Sequence, residues 1–156
     1  MTLVGGLAAA IFLMGSCQRK PVLPHASYLH LPLGGWQCGM PLSFAPQYDD
    51  STASYDITLA VRHDAAYDYR NLSIVVDVIA ADSTVDRHNV NMTLADEYGN
   101  WSGGGFGTLY QATTPVVTGV RPDQARSVVV WQAMTGIDTL RGIESVGLIT
   151  RPNKNR

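Results

Sequence analysis

From Ser54 to His63 the chain alternates strictly. Tyr55, Ile57, Leu59 and Val61 fall on one side of an extended backbone, and Asp56, Thr58, Ala60 and Arg62 fall on the other. Side chains in a strand point to opposite faces with period two, so this stretch is a half-buried antiparallel strand. Leu72 to Ala80 repeats the pattern with Leu72, Ile74, Val76 and Val78 inward. Val90, Met92 and Leu94 carry a further inward face, and Val128, Val130 and Gln132 oppose Val129 and Trp131 in a strand from Ser127 to Met134. Shorter segments complete the set. Tyr28, Leu31 and Leu33 are cut by Pro32; Met40 to Phe44 lies between Gly39 and Pro46; Val116 to Val120 and Glu144 to Thr150 follow. Asp49-Asp50-Ser51, Asp82-Ser83 and Arg121-Pro122-Asp123 read as turns. Thr135 to Gly142 reads as one helical turn. Roughly eight strands at regular spacing, without a long amphipathic helix, predict an all-β fold: an antiparallel β-sandwich of jelly-roll type.

One stretch departs from ordinary alternation. In Asp96 to Tyr110, Gly103, Gly105 and Gly107 occupy every second position. An extended backbone there would carry them on one face, bracketed by Trp101 and Leu109, and leave that face bare. Bare strand backbone invites a flat ring from a neighbouring strand or a ligand.

Composition changes the picture little in the body of the chain. At 156 residues there is room for one domain, and the formal charge of −2 leaves no electrostatic footprint for nucleic acid. The start is different. Residues 1–16 carry no charged side chain, and the apolar run Leu3 to Met14 is shorter than the ~20 residues that span a bilayer. It has signal-peptide proportions and ends in Gly15 and Ser16, directly before Cys17. Small residues before a cysteine are what lipoprotein processing requires, so Cys17 is the expected lipidation site and membrane contact. Met14 stands where Leu, Val or Ile is commoner, and the usual charged start is missing, which leaves room for a start further upstream. The expected organisation is a signal peptide at 1–16, the lipidated cysteine and a proline-containing leash at 17–26, a sandwich domain at 27–151 and a polar tail at 152–156. Cys38 is then a lone thiol, more often buried filler than a nucleophile.

Two blocks resemble a known family. Leu59-Ala60-Val61-Arg62-His63, followed by Tyr67-Asp68-Tyr69-Arg70-Asn71-Leu72, is similar to the RH…YxYxNL signature of the gliding-motility lipoprotein GldH family of Bacteroidetes. Leu94 to Gly103, with Gly99, Trp101, Gly105, Gly107 and Tyr110, resembles that family's LaDxxGxWxGxGxG block, and Ile143 to Leu148 resembles its closing strand. The likeness covers most of the mature chain. Departures are a shortened loop after Tyr110 and Ser127-Val128-Val129 where an aromatic residue is more usual. The resemblance implies an envelope lipoprotein without known enzymatic activity or cofactor. In gliding relatives it serves movement beside the type IX secretion apparatus, and members also occur in species that do not glide. The expected place is the outer membrane, periplasmic face, among envelope protein partners.

The residues offer little chemistry of their own. Asp96 and Glu97 are neighbours on opposite strand faces, which does not suit an acid/base pair. Ser102 is one place out of a nucleophile elbow, and the glycine run lacks the Lys-Ser/Thr of a phosphate loop. His25, His30, His63 and His88 show no metal-ligand spacing; turn aspartates Asp49, Asp50 and Asp138 are weaker still. Tyr67, Tyr69 and Trp101 are the candidate contact face for a partner or, as the alternative function, a glycan; internal cover for the glycine strip is the more frequent role of such rings. Arg62 and Asn71 flank the same loop and are expected to fix its backbone. Ser51, Ser83 and Thr139 each follow an aspartate in an expected turn and match a short O-glycosylation pattern. No metal and no small-molecule ligand is expected.

Overall fold

A computed structural model describes residues 23–153. Its strands are β1 (His25–His30), β2 (Trp36–Gln37), β3 (Leu42–Phe44), β4 (Tyr55–His63), β5 (Asn71–Ile79), β6 (Val85–Thr93), β7 (Gly104–Phe106), β8 (Leu109–Val120), β9 (Ser127–Gln132), β10 (Thr139–Leu140) and β11 (Ile143–Pro152). One sheet runs β1-β11-β4-β8-β7, a second runs β3-β9-β5-β6, and β2 pairs with β10. Every pairing is antiparallel. The eight principal strands nest: β1 with β11, β3 with β9, β4 with β8, β5 with β6. A long hairpin rolled up in this way is a jelly roll, the topology expected from the strand spacing.

The two sheets bury what the alternation assigned to them. Ile57, Leu59 and Val61 of β4 face Leu72, Ile74, Val76 and Val78 of β5 in a core that also holds Val128, Val130, Val146 and Leu148; Tyr55, also buried, packs edge-on against Tyr48. Each fully buried aliphatic side chain contributes about 1.5–3 kcal/mol by leaving water. Gln132 is buried on the same face. Its Nε2 donates to the Ile137 carbonyl at 2.9 Å and its Oε1 accepts from the Met134 N–H at 2.9 Å, so the amide is satisfied. Burial on β6 is sparse because it ends its sheet; on β11 it is almost continuous, because that strand is covered on both faces.

Several expectations need correction. No helical turn forms at 135–142; Thr139 and Leu140 instead pair with Gln37 and Trp36. A two-residue ladder carries no period for a sequence reading to detect. Pairing also extends past the expected domain limits, since β1 begins at His25 and β11 runs through Pro152. Cys38 is exposed rather than buried. The signal peptide and Cys17 lie outside the described residues.

Candidate functional site

The two ends of the sandwich differ. At one end β1 begins, beside the loops at 45–54, 80–84 and 121–126. The other end gathers the loops that follow β1, β4, β6 and β9, and there the aromatic residues of the sequence motif come together. At its centre is His63, the last residue of β4. The alternation that buries Tyr55 to Val61 also turns His63 inward, and it is fully buried. Its ring lies 4.6 Å from Trp101 at 61°, 5.5 Å from Tyr110 at 22° and 5.8 Å from Tyr67 at 48°. Nδ1 is 3.1 Å from the Asp64 carbonyl, a distance that assigns the proton to Nδ1. Among the described residues Nε2 has no hydrogen-bond partner.

The surrounding pieces are held by backbone and turn contacts. Tyr67 is buried, and its hydroxyl donates to the Asn71 carbonyl at 2.8 Å. Burial, then the neighbouring Tyr69, push its phenol well above the ordinary tyrosine range. Beneath it, Gly142 sits at φ +83°, and a Cβ there would stand 2.6 Å from the Tyr67 Cα. The Asp64 N–H donates to the Gly142 carbonyl at 3.0 Å, which fastens the loop after β4 to the start of β11. Trp101 is placed by a bridge to Ala95 and by the Ser102 N–H donating to the Leu94 carbonyl at 2.7 Å. Asp96 closes the intervening turn. It accepts from the N–H groups of Tyr98 and Asn100 and from the Asn100 side chain, and these hydrogen bonds, the Asn100 side chain first, hold its carboxyl below the usual range. Gly99 at φ +83° completes that turn.

The glycine run is not the bare strip expected of it. Gly103 (φ +92°) and Gly107 (φ +64°) both have left-handed backbone, so only Gly104 to Phe106 is extended. Phe106 pairs with Leu109, making Gly107-Thr108 a two-residue hairpin turn. Gly103 is required where the chain crosses Gln111, because a Cβ would strike that residue's carbonyl oxygen. At Gly105 a Cβ would meet nothing within 4 Å. The rings of Tyr67 and Trp101 therefore cover His63 and not the glycines. Tyr67 and Tyr69 stand at 70° to each other and Tyr67 and Trp101 at 51°, so the three do not form a coplanar row.

The covered glycine lies elsewhere. Gly147, in the middle of β11, is the register partner of Tyr28, and a Cβ on it would overlap the Tyr28 ring. Arg62 belongs to this outer face. Its guanidinium carbon is 3.8 Å from the Tyr28 ring centre, and its Nε donates to Gln111 Oε1 at 2.9 Å, which also accepts from the Tyr28 hydroxyl at 3.1 Å. Asn71 acts through its backbone carbonyl; its side chain donates to Asn91 on β6 at 3.1 Å. Leu72 is core. His63 was expected as a structural histidine hydrogen-bonded near the Tyr67/Tyr69 loop, and it is one, whereas Tyr110 was missed as a site residue. Gly142, Gly147 and Tyr28 had no local signal, because their partners are distant in sequence.

Ser51 and Ser83 are exposed in loops, Ser83 at φ +69°, and Thr139 is half-buried in β10, not in a turn. Among the described residues no group of three or more His, Cys, Asp or Glu side chains is arranged to hold a metal ion.

The family model for the GldH lipoprotein matches residues 25–149. The chain belongs to the GldH lipoprotein family. A gliding motility lipoprotein GldH homolog of Christiangramia forsetii is 26% identical over 153 residues, covering 93% of this chain and 92% of that one. The GldH match takes in every element of the loop-end cluster, from His63 through Gly142, and makes this chain one of a family of membrane-associated lipoproteins. Among solved structures, the VP2 subviral particle of infectious bursal disease virus aligns over 95% of this chain at 14% identity and a TM-score of 0.33, and a structure of the Gt strain of that virus gives the same coverage of this chain, identity and score. This chain spans 38% and 37% of those chains. At that score the likeness carries no functional argument.

Proposed function

We propose that this GldH-family chain is a non-catalytic envelope lipoprotein, anchored through acylated Cys17 at the periplasmic face of the outer membrane. It acts as an accessory part of a gliding or type IX secretion-linked assembly and docks a protein partner through its loop end. The observation that carries this reading is the division of labour between the two ends. Cys17 is eight residues upstream of His25, a leash of at most ~28 Å. The leash enters at the end where β1 begins. The ten residues of β11 separate that end from the aromatic loops by about 30 Å. The loop end therefore faces away from the point of attachment. Its carboxylates Asp64 and Asp96 are engaged in capping turns, with Asp64 accepting from the Ala66 N–H at 2.9 Å, which supports a scaffolding role over acid/base work. The inclined, inward-packed rings support a protein contact over a sugar platform, which needs a flat exposed face.

The test joins anchor to role. A host lacking this chain is expected to lose type IX secretion, and to recover it with the wild-type chain but not with Cys17→Ala. Labelled fatty acid should enter the wild-type chain alone. Equal labelling of Cys17→Ala would refute the anchor, and unimpaired secretion without the chain would refute the role.

A further inference from the structure

The strands that end a sheet differ in what they leave open. β3 and β7 are three residues long. β1 has six residues and lies between Pro24 and Pro32. β8 outruns β7, but its pairing with β4 shifts register twice between Tyr55 and Thr58, and Pro115 and Gly119 interrupt it. Shortness, proline and bulges are devices that stop a sheet edge from pairing further. β6 has none of them. It runs nine residues, Val85 to Thr93, without proline or glycine, and it ends its sheet.

The register tells which backbone groups of β6 are open. Just past its two ends, the Ala80 N–H donates to the Thr84 carbonyl at 2.9 Å and the Leu94 N–H to the Arg70 carbonyl at 2.7 Å, both in the register that pairs Val76 with His88. Bonded pairs alternate along an antiparallel ladder, so the even-numbered residues of β6 turn their N–H and C=O groups to β5. The odd-numbered ones, Val85, Arg87, Asn89, Asn91 and Thr93, turn theirs away, and all five residues are exposed. No described residue hydrogen-bonds those outward groups. The edge does not repel a further strand by charge either. Asp77 accepts two hydrogen bonds of 2.6 Å from Arg87, and His88 Nε2 lies 2.9 Å from an Asp86 carboxylate oxygen.

A row of donors and acceptors that repeats every second residue is matched by one kind of occupant, an extended polypeptide. A second copy offering its own β6 is not that occupant. Antiparallel pairing of two β6 strands sets the leash end of one copy beside the loop end of the other. The ends are about 30 Å apart, and a leash of at most ~28 Å does not make up that difference, so only one copy could stand with its leash end on the membrane. This exclusion rests on the Cys17 anchor proposed above; the open ladder does not. On the core side of β6, Met92 is buried and Val90 half-buried, as are Val116 and Val117 of β8, whereas the outer side presents Arg87, Asn89 and Asn91. We infer that β6 receives a segment of a partner protein as an added strand, apolar at alternate positions on the core side and polar between them.

The test uses the full lipidated chain in its own envelope, with a photo-crosslinking amino acid at position 89 or, separately, at position 69. From position 89 the expected adduct is a protein segment in which apolar residues alternate with polar ones. Asn91→Pro removes one outward N–H and leaves the bonds to β5 in place, and should lower the yield about fivefold or more. Asn91→Ala keeps that N–H and should leave the yield unchanged. A synthetic peptide of the captured segment, added to the purified wild-type chain, should slow amide exchange at Arg87, Asn89 and Asn91 about tenfold or more. His88 and Val90, already bonded to β5, should not change. An adduct indifferent to Asn91→Pro, one lowered equally by Asn91→Ala, one to lipid, one to a second copy of this chain, or a peptide that leaves the odd-numbered amides unprotected would overturn the inference. Adducts from position 69 alone would refute the added strand and leave loop-end docking standing. Adducts from position 89 alone would do the reverse, and none from either position would remove both.

Discussion

The glycine run at 103–107 and the solitary Gly147 look, in sequence, like the reverse of what they are. The run has the period of a strand face, yet Gly103 and Gly107 bend the chain and Gly104 and Gly105 face open space. Gly147 sits unremarked between Val146 and Leu148, and it is the position where an aromatic ring lies on bare strand backbone. The difference is a matter of neighbours. A ring covers a glycine only if the adjoining strand delivers one in register, and β1 places Tyr28 opposite Gly147 across more than a hundred residues of chain. Gly105 also has an aromatic register partner, Tyr110 on β8, but that ring stacks on His63 and leaves Gly105 uncovered, and β7 ends its sheet with no strand on its other side.

Five substitutions set these regions against each other. Gly103→Ala should do most damage, because left-handed backbone and the Gln111 carbonyl act together against any side chain. A loss of about 3 kcal/mol or more is expected, a fall in Tm of about 6–12 °C by calorimetry. Gly147→Ala comes next. The Tyr28 ring must tilt away and release Arg62 and Gln111, for a loss of about 1–3 kcal/mol. Combined with Tyr28→Ala, the two losses should fall short of additivity by about 1 kcal/mol in denaturant titrations; full additivity would mean that ring and glycine are independent. A smaller effect is expected from pH. Ser145, then His30, hold the Glu144 carboxyl below its ordinary value. Its contribution is therefore complete above the unfolded glutamate pKa of about 4.3, and is lost as pH falls through the lower folded value. Glu144→Gln should flatten that part of the acid limb of a stability–pH curve, whereas a parallel curve would remove Glu144 from the account. Gly105→Ala should change stability by less than about 0.5 kcal/mol. A loss comparable to that at Gly103 would show that Gly105 is covered after all.

What the sequence makes legible follows from how local each cause is. Alternation in β4 and β5 is written in consecutive residues, so both strands and their inward faces could be read from it. The nested hairpin order follows from even spacing and short turns. Close approach is different. Gly142 is needed because Tyr67 lies on it, Gly35 because Leu140 does, and neither neighbour can be inferred from flanking residues. Arg62 illustrates the limit on the other side. Its outward direction was legible, but what it reaches, Tyr28 and Gln111, depends on which strands flank β4. The aromatic cluster was half legible: the motif supplied Tyr67, Tyr69 and Trp101, while the fully buried His63 at their centre belongs to both the motif and the core.

The proposed function divides the molecule into an anchored end and a docking end. The direct measurement is the crosslinking pattern of the full lipidated chain in its native envelope, with probes at position 69 at the loop end and position 51 at the leash end. Protein adducts are expected from position 69, and from position 51 adducts to phospholipid or none. Protein adducts confined to position 51, with lipid adducts at position 69, would contradict it.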